Sequence, residues 1–194
     1  MQERGLAFAH KPVPASVWRP FMGAMVVMMK PEFSEKRVAE IKALVARYPA
    51  ARSALLPVLH MAQEDFGYLS MDVQKLVAET LDLHLMAVRE VVTFYTMFRE
   101  QPCGSYLLEV CTNAGCMLNG ADDLVRHLCD KLDIKVGQTT PDGMFTVTEV
   151  ECAGACGGAP VVQINNVYHE KVDAAHLDAF ITEVRGASKA GGGN

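Results

Sequence analysis

The chain has 194 residues, enough for one good-sized domain or two small ones. Its 18 Lys and Arg against 23 Asp and Glu leave a net charge of −5. That balance argues against nucleic acid, whose binding rests on clustered basic residues releasing phosphate counterions. Half the residues are hydrophobic and 21% are charged, so disorder along the whole chain is excluded as well.

Residues 1–31 read as an irregular N-terminal extension. Their apolar run, Phe21 to Met29, is well short of the roughly 20 residues that span a bilayer. Pro12, Pro14, Arg19 and Pro20 precede it, and Lys30, Pro31 and Glu32 stand where the small cleavage residues of a signal peptide belong. A transit peptide would be richer in Arg and Ser and poorer in acids. The methionines suit an adaptable docking surface, with a poorly ordered terminus as the plainer alternative. Without a secretory signal, the cysteines are expected in a reducing compartment.

Residues 32–100 read as a helical bundle. Ser34 is placed to cap a helix running to about Ala46, with Val38, Ile41, Leu44 and Val45 on one face. Ser53 is expected to cap the next, where Pro57 is tolerable in the first turn. Leu55, Leu56, Leu59, Met61 and Ala62 make its apolar side, and Gly67 stands where a C-terminal cap belongs. Ser70 opens a third helix with Val73, Leu76, Val77 and Leu81, and a fourth covers roughly Met86 to Tyr95. Their short connections imply antiparallel packing.

The pattern changes near residue 101. Ser105 to Val110 reads as a strand running into Cys111, and Asn119 as the cap of a helix that buries Leu124, Val125, Leu128 and Leu132. Phe145 to Val150 is a second strand, and a helix between two strands implies a right-handed parallel crossover. Val161 to Ile164 and Val167 to His169 flank Asn165-Asn166, a tight hairpin turn. Asp173 is placed to cap a last helix burying Leu177, Phe180, Ile181 and Val184. The order β-α-β-β-β-α over residues 101–185 defines a small α/β domain, giving a mixed α+β chain with a flexible tail at 186–194.

Six cysteines are too few for a disulfide scaffold and more than an ordinary cytosolic core requires. Four form two pairs, Cys111-Thr-Asn-Ala-Gly-Cys116 and Cys152-Ala-Gly-Ala-Cys156. Each pair follows a strand, so parallel neighbouring strands would bring both loops to one edge of the sheet. Structural zinc accepts four thiolates in pairs, and a [2Fe–2S] cluster takes two per iron. Spacing alone leaves both open, with two disulfides disfavoured in a reducing compartment.

Small residues surround the thiols: Ala114, Gly115, Ala153, Gly154, Ala155, Gly157, Gly158 and Ala159. Backbone N–H groups can then approach sulfur, which suits a negatively charged cluster and leans toward iron–sulfur. The plainer reading is that Gly and Ala permit tight turns. Cys129, four residues after Val125, reads as a packed helix thiol. No other cysteine stands at ligand spacing from Cys103, and no C-x-x-C redox pair occurs.

The run C-T-N-A-G-C-M-L-N-G-A followed by T-T-P-D-G-M-F-T-V-T-E-V-E-C-A-G-A-C-G-G-A-P-V-V-Q-I-N resembles the thioredoxin-like [2Fe–2S] subunit of respiratory complex I. In the helical half, L-L-P-V-L-H-M-A-Q-E-D-F-G-Y-L-S and V-T-F-Y-T-M-F are similar to the same family, so the likeness covers about residues 34–185. Ala114-Gly115 stands where the family carries bulkier residues, and Cys103 where an aliphatic residue is commoner.

The resemblance implies a thioredoxin-like domain and one [2Fe–2S] cluster on Cys111, Cys116, Cys152 and Cys156. It also implies a place in the peripheral arm beside an FMN- and NADH-binding flavoprotein subunit, at the cytoplasmic side of a bacterial inner membrane. Single electrons would pass to or from that flavin. No G-x-G-x-x-G follows a strand, so no dinucleotide site and no catalytic residue is expected on this chain. The equivalent subunit of a soluble NAD-dependent hydrogenase or formate dehydrogenase shares these motifs, and a zinc-stabilised interaction module is the alternative of a different class.

His60, Gln63 and Glu64 invite a catalytic role, but a lone His near an apolar face is more often structural. Phe94, Tyr95 and Phe98 are expected to pack the two halves together, with an interface role as the sharper alternative. Asp122 and Asp123 are explained by the dipole of the helix they open.

Overall fold

The computed structural model describes residues 30–191, so the N-terminal extension up to Met29 and its methionine run lie outside the described residues. The described chain forms two compact units, residues 30–103 and 104–191.

The first unit is helical: α1 Glu35–Val45, α2 Leu55–Phe66, α3 Met71–Leu81 and α4 Leu85–Phe94. Ser34 and Ser70 cap α1 and α3 through their hydroxyls, which accept from the N–H groups of Arg37 and Val73. Ser53 does not cap α2. A 3-10 turn over Ala51–Ala54 runs straight into that helix, whose N-cap is Ala54 with no side-chain bond. Residues Ala51 to Ala54 satisfy the backbone by tightening the turn instead of recruiting a hydroxyl. Gly67 ends α2 at φ +80, and its N–H donates to Gln63 O.

The unit's core gathers Ile41, Leu55, Val58, Leu59, Leu69, Val73, Val77, Leu81, Val88, Val92 and Phe98. Arg37 braces α1 against α2 with two bonds to Asp65, at 2.8 and 2.6 Å, and a third to Glu40. Gln63 is structural rather than catalytic. Its amide donates to Met97 O and accepts from Arg99 N–H, pinning the segment that follows α4. His60 is exposed, with its ring 5.0 Å from that of Phe98. The aromatic trio divides: Phe98 is in the core of this unit, whereas Phe94 is 76% exposed, with the ring of Tyr95 edge-on to it at 5.0 Å.

The second unit contains a four-stranded sheet in the order β2-β1-β3-β4. β1 is Tyr106–Cys111, β2 Phe145–Val150, β3 Val162–Ile164 and β4 Val167–His169. β1 and β2 are parallel, in register from Tyr106↔Phe145 to Cys111↔Val150, while β1–β3 and β3–β4 are antiparallel. Asn165 and Asn166, at φ +48 and +69, make the β3–β4 hairpin turn. Two helices follow β1: a short one, α5, Ala114–Leu118, and α6, Ala121–Leu132. The longer α6 is the crossover, and it buries Leu124, Val125, Leu128 and Leu132. Asn119 does not cap it: the N-cap is Gly120 at φ +91, which no side chain assists.

The last helix, α7, spans Ala174–Gly191 and is opened by Asp173, whose carboxylate accepts from His176 N–H. It continues past Arg185 instead of giving way to a tail there. Its residues Leu177, Phe180, Ile181 and Val184 join α6 and the sheet in one core. Gly104, just before β1, lies so close to the Met144–Phe145 backbone that a Cβ would sit 2.8–2.9 Å from it.

Candidate cluster site

Parallel pairing of β1 with β2 sends both cysteine pairs to one edge of the sheet. Cys111 is the last residue of β1, opposite Val150, and Cys152 follows Val150 by two positions. The ladder runs on one step further, with Thr112 N–H donating to Val150 O at 3.2 Å. Cys111 N–H also donates to Val161 O, anchoring the first ligand position to the chain entering β3.

The second cysteine of the first pair is in the short helix α5 rather than in an irregular loop. Asn113 caps that helix through Oδ1, which accepts from Ala114 N–H at 2.9 Å. Asn119 closes its far end, donating to Gly115 O at 2.7 Å. The signal is present in the sequence, since Asn before Ala-Gly is a good N-cap, but five residues are too few for a hydrophobic period. Asn113 Nδ2 donates to Glu151 O at 2.7 Å, a contact that spacing does not reveal.

The two loops meet. Asn113 and Cys111 of the first are bonded to Glu151 and Ala153 of the second. A Cβ on Gly115 would stand 3.8 Å from Cys156 Cβ, in ordinary contact, which makes Gly115 the small residue at the crossing. Cys111 and Cys116 are buried, while Cys152 and Cys156 are exposed. Cys156 opens a 3-10 turn, Cys156–Gly158. Met117 and Leu118, on the helix that carries Cys116, present exposed apolar side chains.

Backbone N–H groups point at sulfur: Ala153 N–H at Cys111 Sγ, 3.5 Å, and Gly154 N–H at Cys152 Sγ, 3.3 Å. Burial pushes the Cys111 thiol up, but the N–H groups of Ala153 and Asn113 and the Cys116 and Cys152 thiols outweigh it. Its pKa falls below the ordinary thiol value. Burial pushes the Cys116 thiol up, only partly opposed by Val161 N–H, and its charged neighbours Cys111 and Cys156 push it further.

Cys129 lies half-buried against the core of its unit, its thiol raised by burial and by the charges of Asp130 and Glu149. Cys103 lies in the helical unit, just before the residue where the second unit begins. None of the six cysteines is in a disulfide. Among the described residues, no three His, Cys, Asp or Glu side chains are gathered so as to hold one metal ion. Four thiols in two pairs, with backbone donors on the sulfurs of Cys111 and Cys152, are a donor set that fits a [2Fe–2S] cluster.

The mixed sheet with its parallel crossover, and two cysteine pairs at one sheet edge, define a thioredoxin-like iron–sulfur domain. Residues 41–185 match the thioredoxin-like [2Fe-2S] ferredoxin family, and the chain belongs to that family. It is 46% identical over 150 residues to the E 2 subunit of the NADH-quinone oxidoreductase of Rhizobium meliloti (strain 1021), covering 77% of this chain and 89% of that one. It is 40% identical over 154 residues to the E subunit of the NADH-quinone oxidoreductase of Rickettsia prowazekii (strain Madrid E), covering 78% and 87%. Among solved structures, an NAD+-reducing [NiFe]-hydrogenase in the H2-reduced state superimposes with a TM-score of 0.61 at 27% identity. That match covers 69% of this chain and 22% of the hydrogenase chain.

Proposed function

We propose that this chain is the electron-transfer subunit of a bacterial NADH:quinone oxidoreductase, carrying one [2Fe–2S] cluster on Cys111, Cys116, Cys152 and Cys156. The observation that supports the ligand assignment is the parallel β1–β2 register, whose two strands end side by side just before the second pair. The relatives' names support the larger assembly, since subunits of this description match over most of their length. When bound, a [2Fe–2S] cluster accepts and releases one electron at a time.

The chain's own residues set the conditions for that exchange. Ala153 and Gly154 aim N–H groups at sulfur, offsetting the negative charge of thiolates in loops that contain neither Lys nor Arg. Cys111 and Cys116 are buried and Cys152 and Cys156 exposed, so a cluster held there would have one buried and one solvent-facing pair of ligands. Exposure and hydrogen bonding to sulfur are the levers that set the potential of such a site. Hydride chemistry belongs, on this reading, to FMN and NADH on a partner flavoprotein subunit.

Among the described residues no helix is long and apolar enough to cross a membrane. A peripheral position at the cytoplasmic side of the inner membrane, alongside other peripheral-arm subunits, completes the reading. The likeness to an NAD+-reducing hydrogenase favours one second reading, the equivalent subunit of a soluble NAD-dependent enzyme. Purification from the native host under gentle conditions separates the two: co-purifying quinone-reductase subunits support the first, and hydrogenase or formate dehydrogenase subunits the second. The domain limits follow the same reading, with a helical bundle at 32–100 and the cluster domain beginning at 101.

A further inference from the structure

We propose that Asn113 is a positioning residue that sets the spacing between the two cysteine pairs. The proposal deepens the cluster reading and rests on its four ligands. Asn113 stands between Cys111 and Cys116 in sequence, and the two ends of its side-chain amide engage different parts of the site. Its Oδ1 holds Ala114 N–H at 2.9 Å and so fixes the helix carrying Cys116. Its Nδ2 donates at 2.7 Å to Glu151 O, the carbonyl immediately before Cys152.

The β1–β2 ladder reaches only as far as Thr112 N–H on Val150 O. Beyond that point the first ligand loop turns into α5 and the second turns away through Gly154 at φ +72. The two loops diverge where four sulfurs must keep fixed separations, and the Asn113 amide ties them together there. The side chain must supply an acceptor and a donor from one short, planar group. Asp has the acceptor but would face Glu151 O with a second oxygen, and Ser caps a helix but is too short to cross. Because Asn113 is exposed, its replacement removes these bonds without opening a cavity.

The test uses the full-length chain loaded with its cluster, as wild type and as Asn113→Asp, Asn113→Ser and Asn113→Ala. Iron release to a chelator and the g-values of the dithionite-reduced signal are the readouts. If the cross-loop bond positions the pairs, the Asp and Ser variants lose iron about fivefold faster than wild type and their g-values shift, as do those of the Ala variant. If Asn113 only caps α5, the Asp and Ser variants match wild type and Ala alone differs, which overturns the proposal; so does wild-type behaviour in all three. Circular dichroism identifies a variant that has not folded, and the remaining one of the Asp and Ser pair then decides. A wild-type chain with no such signal would overturn the ligand assignment, and this proposal with it.

Discussion

The backbone N–H of Ala153 points at the sulfur of Cys111, 3.5 Å away across 42 positions of the chain. This bond runs between the two cysteine pairs, as the Asn113–Glu151 bond does, and it exists because β1 and β2 run parallel and end together. Cys111, pushed up by burial, is held below the ordinary thiol range by such donors. A thiol so placed is readied as a thiolate ligand.

Substitution separates ligands from bystanders. Serine at 111, 116, 152 or 156 is expected to remove most of the iron or strongly perturb its spectrum. Cys103→Ser and Cys129→Ala are expected to keep the wild-type iron content and spectrum. Loss of the cluster in Cys129→Ala, with the fold intact by circular dichroism, would contradict the assignment. Cys152 and Cys156 are exposed, so their variants are expected to unfold near the wild-type midpoint once metal is removed from both.

Gly154 offers a test of the backbone around the second pair. Its φ is +72, and a Cβ there would meet nothing within 4 Å, so the cost of Gly154→Ala is conformational rather than steric. A destabilisation of about 1–2 kcal/mol is expected in denaturant titration, with faster cluster loss as the N–H leaves Cys152 sulfur. Gly157→Ala is the control. It has open space and no left-handed φ, and is expected to behave as wild type.

Much of the fold and site is legible in the residues, for identifiable reasons. The hairpin at Asn165-Asn166, the amphipathic face of α6 and the β2 limits all rest on local chemistry or strict periodicity. That both pairs leave the same edge of the sheet follows from topology, because a helix between two strands makes them parallel. What local chemistry does not show is competition between neighbours. Ser53 and Asn119 are good caps by type, yet a 3-10 turn pre-empts the first, and the second serves the end of α5 instead. Asn113 escapes a reading of spacing because half its role depends on Glu151, 38 positions away. Periodicity ends α7 too early because the run of large apolar residues stops at Val184, while the helix itself continues to Gly191.

Gly104 tests the seam where β1 begins beside the Met144–Phe145 backbone. A Cβ would meet Phe145 C at 2.8 Å and Met144 C and O at 2.9 Å, and backbone cannot step aside as a flexible side chain can. Gly104 N–H also donates to Thr146 Oγ1. Gly104→Ala is expected to cost about 1–3 kcal/mol in equilibrium unfolding, and a wild-type midpoint would show that the seam is loose.

Asp178 on α7 makes the α6–α7 contact sensitive to acid. The hydrogen bond from His127 holds its carboxyl below the ordinary carboxylate range, opposed by desolvation and aided by Lys131. The unfolded chain therefore takes up this proton more readily than the folded one. The stabilisation is fully present above about pH 4, the unfolded value, and is lost as pH falls through the depressed folded value. Asp178→Asn is expected to lower the unfolding midpoint at neutral pH and to converge with wild type near pH 2. A gap that persists in acid would place the effect in packing rather than charge.

The central claim is that the four thiols hold a binuclear iron–sulfur cluster. Its most direct measurement is metal and sulfide analysis of the anaerobically purified full chain, joined to EPR after dithionite reduction. The expected result is two iron and two acid-labile sulfide per chain, with an S = 1/2 signal in the reduced protein. About one zinc per chain, no sulfide and no reduced signal would contradict it.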